Sequence, residues 1–504
     1  MWSFSETEKK IKEHDASFAD IAINVVSFWK NTFTNWSPAL QLAHDSLPDT
    51  GGIILIPQGM VLEMESKVNI TKPNVVILNL AGGYGLSALK GITANMTMFE
   101  VNSYGFTLKS ISLIGDGIIG NTQSATIVPF KINGNNTGNT DCFLDNVLIM
   151  QCKNAGEFKG RNIRIKNNCL VSNCYNGFRI LGGYTDMRGI EISDVRFHSI
   201  GLGNVSGVKT SCIFIEPTAN YREVKINVYA DDCENVVTGA ISSGNLTDCM
   251  SYRARGEIFD LDNTLLTTPI TERQLKIADN SITFYSTDNN SHGIKIKGKG
   301  IKLVDNQIQK ASKCGIYCES VTESEIHDNT INNCGYIENQ DGIYLDVNSP
   351  KNNIKDNTIK KNDSKCIIRH GIHVEGNENA FEDNATIGIN IENAIWVEPS
   401  KLTYGDCRSV FNKNKEYYGS GAPTTGRWMS GDKVSNLNPT ITKNIQYWIC
   451  VSGGIPGIWR AVGVGQGTTE ERPSLTSRDI GYQYFDTTMQ KLLYFDGVGY
   501  KGGI

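Results

Sequence analysis

Long hydrophobic runs are missing from this chain of 504 residues. The longest, such as Asn74-Val-Val-Ile-Leu-Asn-Leu80, has the length of a strand and falls far short of the roughly 18 residues of a membrane span, so no membrane insertion is expected. The first ten residues, Met1-Trp-Ser-Phe-Ser-Glu-Thr-Glu-Lys-Lys10, lack a basic stretch followed by an apolar one, and no secretory leader is read there. A surplus of positive charge is missing too. With 48 Lys+Arg against 53 Asp+Glu the net charge is −5, which argues against nucleic acid as a partner and fits poorly with an anionic membrane surface. Proline (13) and histidine (7) are scarce, and no HExxH pair is present. Thirteen cysteines occur without a CxxC pair. Most sit in apolar runs (Cys142, Cys169, Cys212, Cys318, Cys450) and read as buried free thiols made in a reducing compartment. Gly82-Gly83 and Gly182-Gly183 lack a phosphate-loop pattern and read as turns. No cofactor and no metal centre is expected from these motifs.

Glycine (50) and asparagine are abundant, as in a β-rich chain with many tight turns. Residues 1–35 read as a stalk or neck, with a charged helix-prone run at Glu6–His14. A helix is expected over 36–47, with Ser37 as N-cap, Pro38 in the first turn, and Leu40, Ala43 and Leu47 on one face. From residue 53 to about 405, short β runs alternate with Gly/Asn turns. The runs repeat. Asp-Asn-x-Ile recurs at Asp279, Asp305, Asp328 and Asp356, with a longer echo at Asp383. A small residue followed by an apolar-alternating strand recurs at Gly293, Gly315, Gly342, Gly371 and Ala394. An elastic period of about 22 residues is that of a parallel β-helix, with about three short strands per coil, each pairing with its copy one coil on. The L-x-x-L-x-L signature of leucine-rich repeats is absent. About 13 coils at about 4.8 Å each make a rod roughly 60 Å long. Asparagine suits the turns because it tolerates the left-handed conformation and its amides ladder between coils. The expected fold class is all-β, a parallel β-helix with a short helical cap over 36–405, followed by β modules at 406–465 and 466–504. In the last of these, Ile480–Phe485 and Lys491–Phe495 read as a hairpin displaying Tyr and Phe.

Strand alternation assigns the chemistry. In the second repeat element, Ile316/Cys318, Ile343/Leu345, Ile372/Val374 and Ile395/Val397 point inward, so the intervening residues point outward. One outward column then reads Lys295, Tyr317, Tyr344, His373, Trp396, and the next Lys297, Glu319, Asp346, Glu375, Glu398. Aromatic faces pack on sugar rings, and paired carboxylates supply acid, base or nucleophile for glycoside hydrolysis. The catalytic candidates are therefore Glu319, Asp346 and Glu375, with Tyr317, Tyr344, His373, Trp396, Lys295 and Glu398 as substrate-binding residues. Carboxyls on adjacent coils would suit a retaining hydrolase, and those two coils apart an inverting one. A bare solvated face, or a Ca²⁺ held by Glu319, Asp346 and Glu375, are the competing readings of the same residues. A second candidate site is Glu216, Asp231, Asp232, Arg255, Glu257 and Asp260, where Arg beside carboxylates would also suit a β-elimination lyase.

Two segments resemble known proteins. Ala19-Asp-Ile-Ala-Ile-Asn-Val-Val-Ser-Phe28, Trp36-Ser-Pro-Ala-Leu-Gln-Leu-Ala43 and Leu47-Pro-Asp-Thr-Gly-Gly-Ile-Ile-Leu-Ile-Pro-Gln-Gly59 resemble the opening of pectate-lyase-3-type proteins, where a capping strand and helix lead into a right-handed β-helix. The Gly-Ala-x-Gly-Asp-Gly stretch common in that family is replaced by Trp29-Lys-Asn-Thr-Phe33. Ala422-Pro-Thr-Thr-Gly-Arg-Trp-Met-Ser-Gly-Asp432, Gly457-Ile-Trp459, Arg472–Tyr482 and Tyr494-Phe-Asp-Gly497 resemble C-terminal modules of phage tailspikes. The resemblance implies a homotrimer made in the bacterial cytoplasm and carried on the virion, joined to a tail or baseplate protein through its N-terminus. Acting at the host surface, it would bind and cleave a bacterial surface polysaccharide such as a capsule. The resemblance transfers no catalytic residues. A polysaccharide lyase and a non-catalytic receptor-binding spike are the alternatives.

Overall fold

The structure, a computed structural model, describes residues 22–79, 87–134, 139–182, 184, 186–202, 209–265, 274–284, 290–337, 340–376, 378–388, 393–397, 417–419, 421–424, 428, 431–436, 438–440, 444–454 and 457–502. The expected helical run at Glu6–His14 lies outside them. The chain divides into two compact units, Met1–Ser409 and Val410–Ile504.

The first unit is a parallel β-helix. One thirteen-stranded parallel sheet runs from Val68–Ile70 to Asn393–Val397, one strand per coil. The other two strands of each coil form two parallel columns within a twenty-five-stranded sheet, joined where Ile190–His198 and Val224–Asp231 run through both. The strand Ala22–Asn24 pairs in parallel with Ile53–Leu55, ahead of the first coil. A helix follows at Ser37–Ser46. Ser37 is its first residue rather than its N-cap. Asn35 does the capping, its Oδ1 accepting from the Ser37 N–H at 2.9 Å, which leaves the Ser37 hydroxyl to accept from Ser66 N–H. Ala39, Leu40, Ala43 and Leu47 are buried, as the one-face pattern required. The polar side of this helix closes a sheet edge. Gln41 Oε1 accepts from Asn69 N–H at 2.8 Å and His44 Nε2 from Thr71 N–H at 3.1 Å, so the outermost strand of the thirteen does not present bare donors.

Inside the coils the side chains stack like on like. Ile294, Ile296, Ile316, Cys318, Ile343, Leu345, Ile372 and Val374 are all fully buried. The small residue before each strand is required by close approach. A Cβ on Gly315 would lie 2.5 Å from Ile331 Cγ2, and one on Gly342 would lie 2.6 Å from the Gly371 carbonyl. The twelve described cysteines are buried free thiols.

The Asp-Asn repeat divides its labour. The aspartates take the left-handed conformation, with φ of 59° at Asp279, 54° at Asp305, 57° at Asp328, 54° at Asp356 and 47° at Asp383. The asparagines after them turn inward. Asn280, Asn306, Asn329, Asn357 and Asn384 are buried and form a continuous amide ladder with Nδ2–Oδ1 distances of 2.8, 2.8, 2.9 and 2.9 Å. Each amide also spans to a neighbouring carbonyl, Asn329 to Leu303 at 3.0 Å. Asn329→Leu takes the acceptor from the Asn306 backbone N–H and from one N–H of the Asn306 amide, and a donor from the Leu303 carbonyl, in a dry interior, while Asn357 Oδ1 keeps the residue 329 backbone N–H. At about 1–3 kcal/mol per stranded group, partly relieved by relaxation, the expected loss is about 4 kcal/mol. A shift of the urea unfolding midpoint measures it, and an unchanged midpoint would refute a structural role for the ladder.

In the second unit seven strands, from Tyr417–Gly419 to Tyr500–Gly502, make one sheet. The strand Ile458–Gly467 crosses the boundary expected at 465/466, pairing with Ile445–Ser452 on one side and Gln483–Asp486 on the other. A single core of Val434, Trp448, Trp459, Tyr482, Tyr484 and Phe495 spans both expected modules. The hairpin Gln483–Asp486/Lys491–Phe495 forms. Its aromatics divide: Tyr482 and Tyr484 are core, while Phe485 and Tyr494 are 40% and 45% exposed.

Candidate active site on the thirteen-stranded sheet

The outward column forms in register. Asp260 pairs with Lys295, Lys295 with Tyr317, Tyr317 with Tyr344, Tyr344 with His373 and His373 with Trp396 on successive parallel strands. Parallel pairing sets the rings one above another. Tyr317 and Tyr344 stack at 5.2 Å with 16° between planes, and His373 meets Tyr344 edge-on at 5.0 Å. The rings therefore cover each other's faces, and a ligand would meet edges and hydroxyls. Of the two outermost candidates, the Trp396 side chain and Glu398 lie outside the described residues.

The carboxylate column is not a row of free charges. Glu319 pairs with Lys297 at 2.8 Å, and Lys297 also reaches Asp262 at 3.6 Å. The hydrogen bond to Glu319 and the two negative charges hold the Lys297 ammonium above its ordinary range, against the opposing effect of burial. Asp346 serves its turn: Oδ1 accepts from Ser320 N–H at 2.9 Å, Asn348 N–H at 3.2 Å and the Ser349 hydroxyl at 2.6 Å. Glu375 accepts from the Tyr344 hydroxyl and lies 3.6 Å from His373 Nε2. Burial, the Glu375 charge and that hydrogen bond raise the Tyr344 pKa, so the phenol keeps its proton.

His373 is buried and anchored from behind by a residue outside the predicted set. Asp341, 2% exposed, lies 2.7 Å from His373 Nδ1 through Oδ2, receives Arg369 Nη2 at 2.8 Å on the same oxygen, and accepts from His370 N–H at 3.0 Å through Oδ1. Burial pushes the Asp341 carboxyl up, but the hydrogen bonds and charges of His373 and Arg369 outweigh it and hold the pKa below the ordinary value. Asp341, His370 and His373 each offer one ligand atom within 4.8 Å of the others. The Arg369 guanidinium, 2.6 Å from His373 Nδ1, already supplies positive charge there, so the cluster reads as an ion network rather than a cation seat.

At the other end of the column His292 packs on Tyr317, ring centroids 4.4 Å apart. It is 8% exposed. Burial, followed by the charges of Lys313, Lys295 and Lys209, lowers its pKa to about 3. The unfolded chain takes up a proton near pH 6.5 that the folded chain refuses. Stability should therefore fall as pH drops from about 6.5 towards 3, by up to about 1.4 kcal/mol per unit. His292→Phe keeps a ring against Tyr317 and should flatten the pH dependence of the unfolding midpoint across that window. Identical slopes for the two proteins would remove His292 as its source.

The second predicted cluster does not converge. Asp231 holds Arg253 (Nε–Oδ1 2.8 Å) at the end of a strand in the larger sheet. Arg255 pairs with Asp232 at 3.2 Å and donates to the Ile200 and Asp232 carbonyls. Glu216 accepts from Gly182 N–H at 2.7 Å. Glu257 and Asp260 bind Lys209 at 3.6 and 2.6 Å. Of these, Asp260 joins the first column, 4.0 Å from Lys295. Sequence reading missed His292, Asp341, Arg369 and His370. The signal was one residue upstream of the repeat: the positions before Gly293, Gly315, Gly342 and Gly371 read His292, Cys314, Asp341 and His370.

A mutant tailspike protein of E. coli bacteriophage HK620, solved with a hexasaccharide, superposes with a TM-score of 0.54 at 12% identity, over 89% of this chain and 93% of that one. Residues 228–385 and, in an overlapping match, 271–454 match the family described as the right handed beta helix region. In fold, the chain is a right-handed parallel β-helix. The tailspike receptor binding domain of siphovirus 9NA (TM-score 0.49, 9% identity, 95% of this β-helix protein and 97% of that chain) and tailspike protein 3 of bacteriophage CBA120 (0.42, 14%, 97% and 70%) are also similar. No curated protein matches it in sequence. Among the described residues of the β-helix protein no helix is long and apolar enough to cross a membrane.

Proposed function

We propose that the β-helix protein is a phage tailspike-type depolymerase that binds and cleaves a bacterial surface polysaccharide as an endo-acting glycoside hydrolase. On this reading it works as a homotrimer on the virion tail, attached through its N-terminus. The observation that carries the reading is the in-register column Lys295–Tyr317–Tyr344–His373 with Glu319 and Glu375 beside it. Glu319 and Glu375 belong to coils two rungs apart, about 9.6 Å by strand spacing, at the wide end of the inverting range. Glu319, ion-paired with Lys297, takes a proton from the water that attacks the anomeric carbon. Glu375 gives its proton to the departing glycosidic oxygen. Asp346 holds the turn between them. Tyr317, Tyr344 and Lys295 hydrogen-bond sugar hydroxyls.

A lyase is the second reading, favoured by the imidazole of His373 braced at Nδ1 by Asp341 beside Arg369. The test is incubation with purified surface polysaccharides from candidate hosts, followed by product sizing and ultraviolet absorbance. Shortened chains with no unsaturated uronate support the hydrolase. Shortening with new absorbance supports the lyase. Binding without shortening refutes both and leaves a receptor-binding spike.

A further inference from the structure

The head of the aromatic column carries a surplus of positive charge around a polar atom with nothing to bond. The ammonium groups of Lys209, Lys295 and Lys313 bear on His292, and among the described residues the carboxylates paired with them are Glu257 and Asp260, which meet Lys209 and Lys295. The carboxylates are spent mainly on Lys209, with Asp260 at 2.6 Å and Glu257 at 3.6 Å. Lys295 reaches Asp260 only at 4.0 Å. Among the described residues no ion pair involves Lys313. His292 Nδ1 is buried and has no hydrogen-bond partner, on a ring more than nine-tenths buried and packed against Tyr317. Such nitrogens in folded proteins are normally matched, and an unmatched one beside an uncompensated ammonium suits an acceptor that carries negative charge.

We propose that this corner, His292 with Lys295 and Lys313 beside Tyr317, is a subsite for the carboxylate of an acidic sugar, so that the polysaccharide bound by the thirteen-stranded sheet is an acidic one. The inference rests on the glycan-binding reading above and adds the substrate class to it. The carboxylate accepts from the two ammoniums and from the imidazole N–H, and the sugar ring lies against the edge of Tyr317. Charge-assisted bonds of this kind strengthen as water is displaced.

The experiment is binding of the full chain to an array of bacterial surface polysaccharides, acidic and neutral. Each acidic hit is then compared with its carboxyl-reduced, neutral form. Lys313→Gln is run alongside, because Lys313 is only partly buried and among the described residues no ion pair depends on it. The expected result is that every hit carries carboxylates, that carboxyl reduction weakens binding at least tenfold, and that Lys313→Gln weakens binding to the acidic form about tenfold but not to the reduced form. Neutral hits, equal binding of native and reduced polymer, or an unchanged Lys313→Gln would overturn the subsite while leaving glycan binding standing. No hit of either kind would bring down the glycan reading and this inference with it.

Discussion

Glu375→Gln should lower the rate of polysaccharide shortening by about 10²–10⁴-fold, the range by which a positioned acid or base accelerates proton transfer. The amide matches the carboxylate in size and still accepts from Tyr344, so the loss isolates the missing proton. Glu375 is 33% exposed and among the described residues its one ionic neighbour is His373 at 3.6 Å, so the unfolding midpoint should move by less than about 0.5 kcal/mol equivalent. Glu319→Gln should cost activity on the same scale, and in addition unpair Lys297. The two variants should alter opposite limbs of the pH–rate profile, because one group must be protonated and the other ionised. Product sizing over time with each variant measures this. Wild-type rates in both would remove the carboxylate pair from the chemistry and move attention to His373.

A second large effect, a loss of stability through charge, is expected of Asp341→Asn. The carboxylate is 2% exposed and holds two cationic or polarised partners, Arg369 at 2.8 Å and His373 at 2.7 Å. Removing one member of a buried ion pair strands the other, at about 3–5 kcal/mol. Arg369 is 34% exposed and recovers some hydration, which places the expectation near 3 kcal/mol. Acid should reproduce the effect. The folded-state pKa of Asp341 lies below its unfolded value, so its contribution is complete above about pH 4 and is lost as pH falls through the folded pKa. Asp341→Asn should therefore unfold earlier at neutral pH and lose less on acidification below pH 4. Parallel losses at every pH would mean that the Asp341 charge is not what stabilises the wild type.

Much of the architecture was legible in the sequence because a β-helix repeats. The inward positions Ile316/Cys318 and Ile343/Leu345 fall on a period of two, and coil stacking forces equivalent residues together, so in-register columns follow from alignment of the repeats alone. The split between Asp and Asn in the turns was not legible. Both residue types tolerate the left-handed conformation and both hydrogen-bond, and burial alone chose the uncharged amide for the interior and left the carboxylate outside. The start of the helix moved by one residue for a similar reason: Asn35 and Ser37 are both competent caps, and Ser66, distant in sequence, claimed the serine hydroxyl.

The site divides along the same line. Sequence by itself determined that Tyr317, Tyr344 and His373 share one outward column with carboxylates alongside, since strand alternation and coil register leave no other arrangement. Only the tertiary structure decided which of those groups are available for chemistry. Asp346 was drawn into its turn by Ser320, Asn348 and Ser349, and Glu319 was paired by Lys297 from the coil before. His373 was fixed by Asp341, 32 residues upstream, from a turn position that no strand pattern covers. Alternation says which way a side chain leaves its strand. Its partners depend on how the turns between strands fold back, and those turns vary in length from coil to coil.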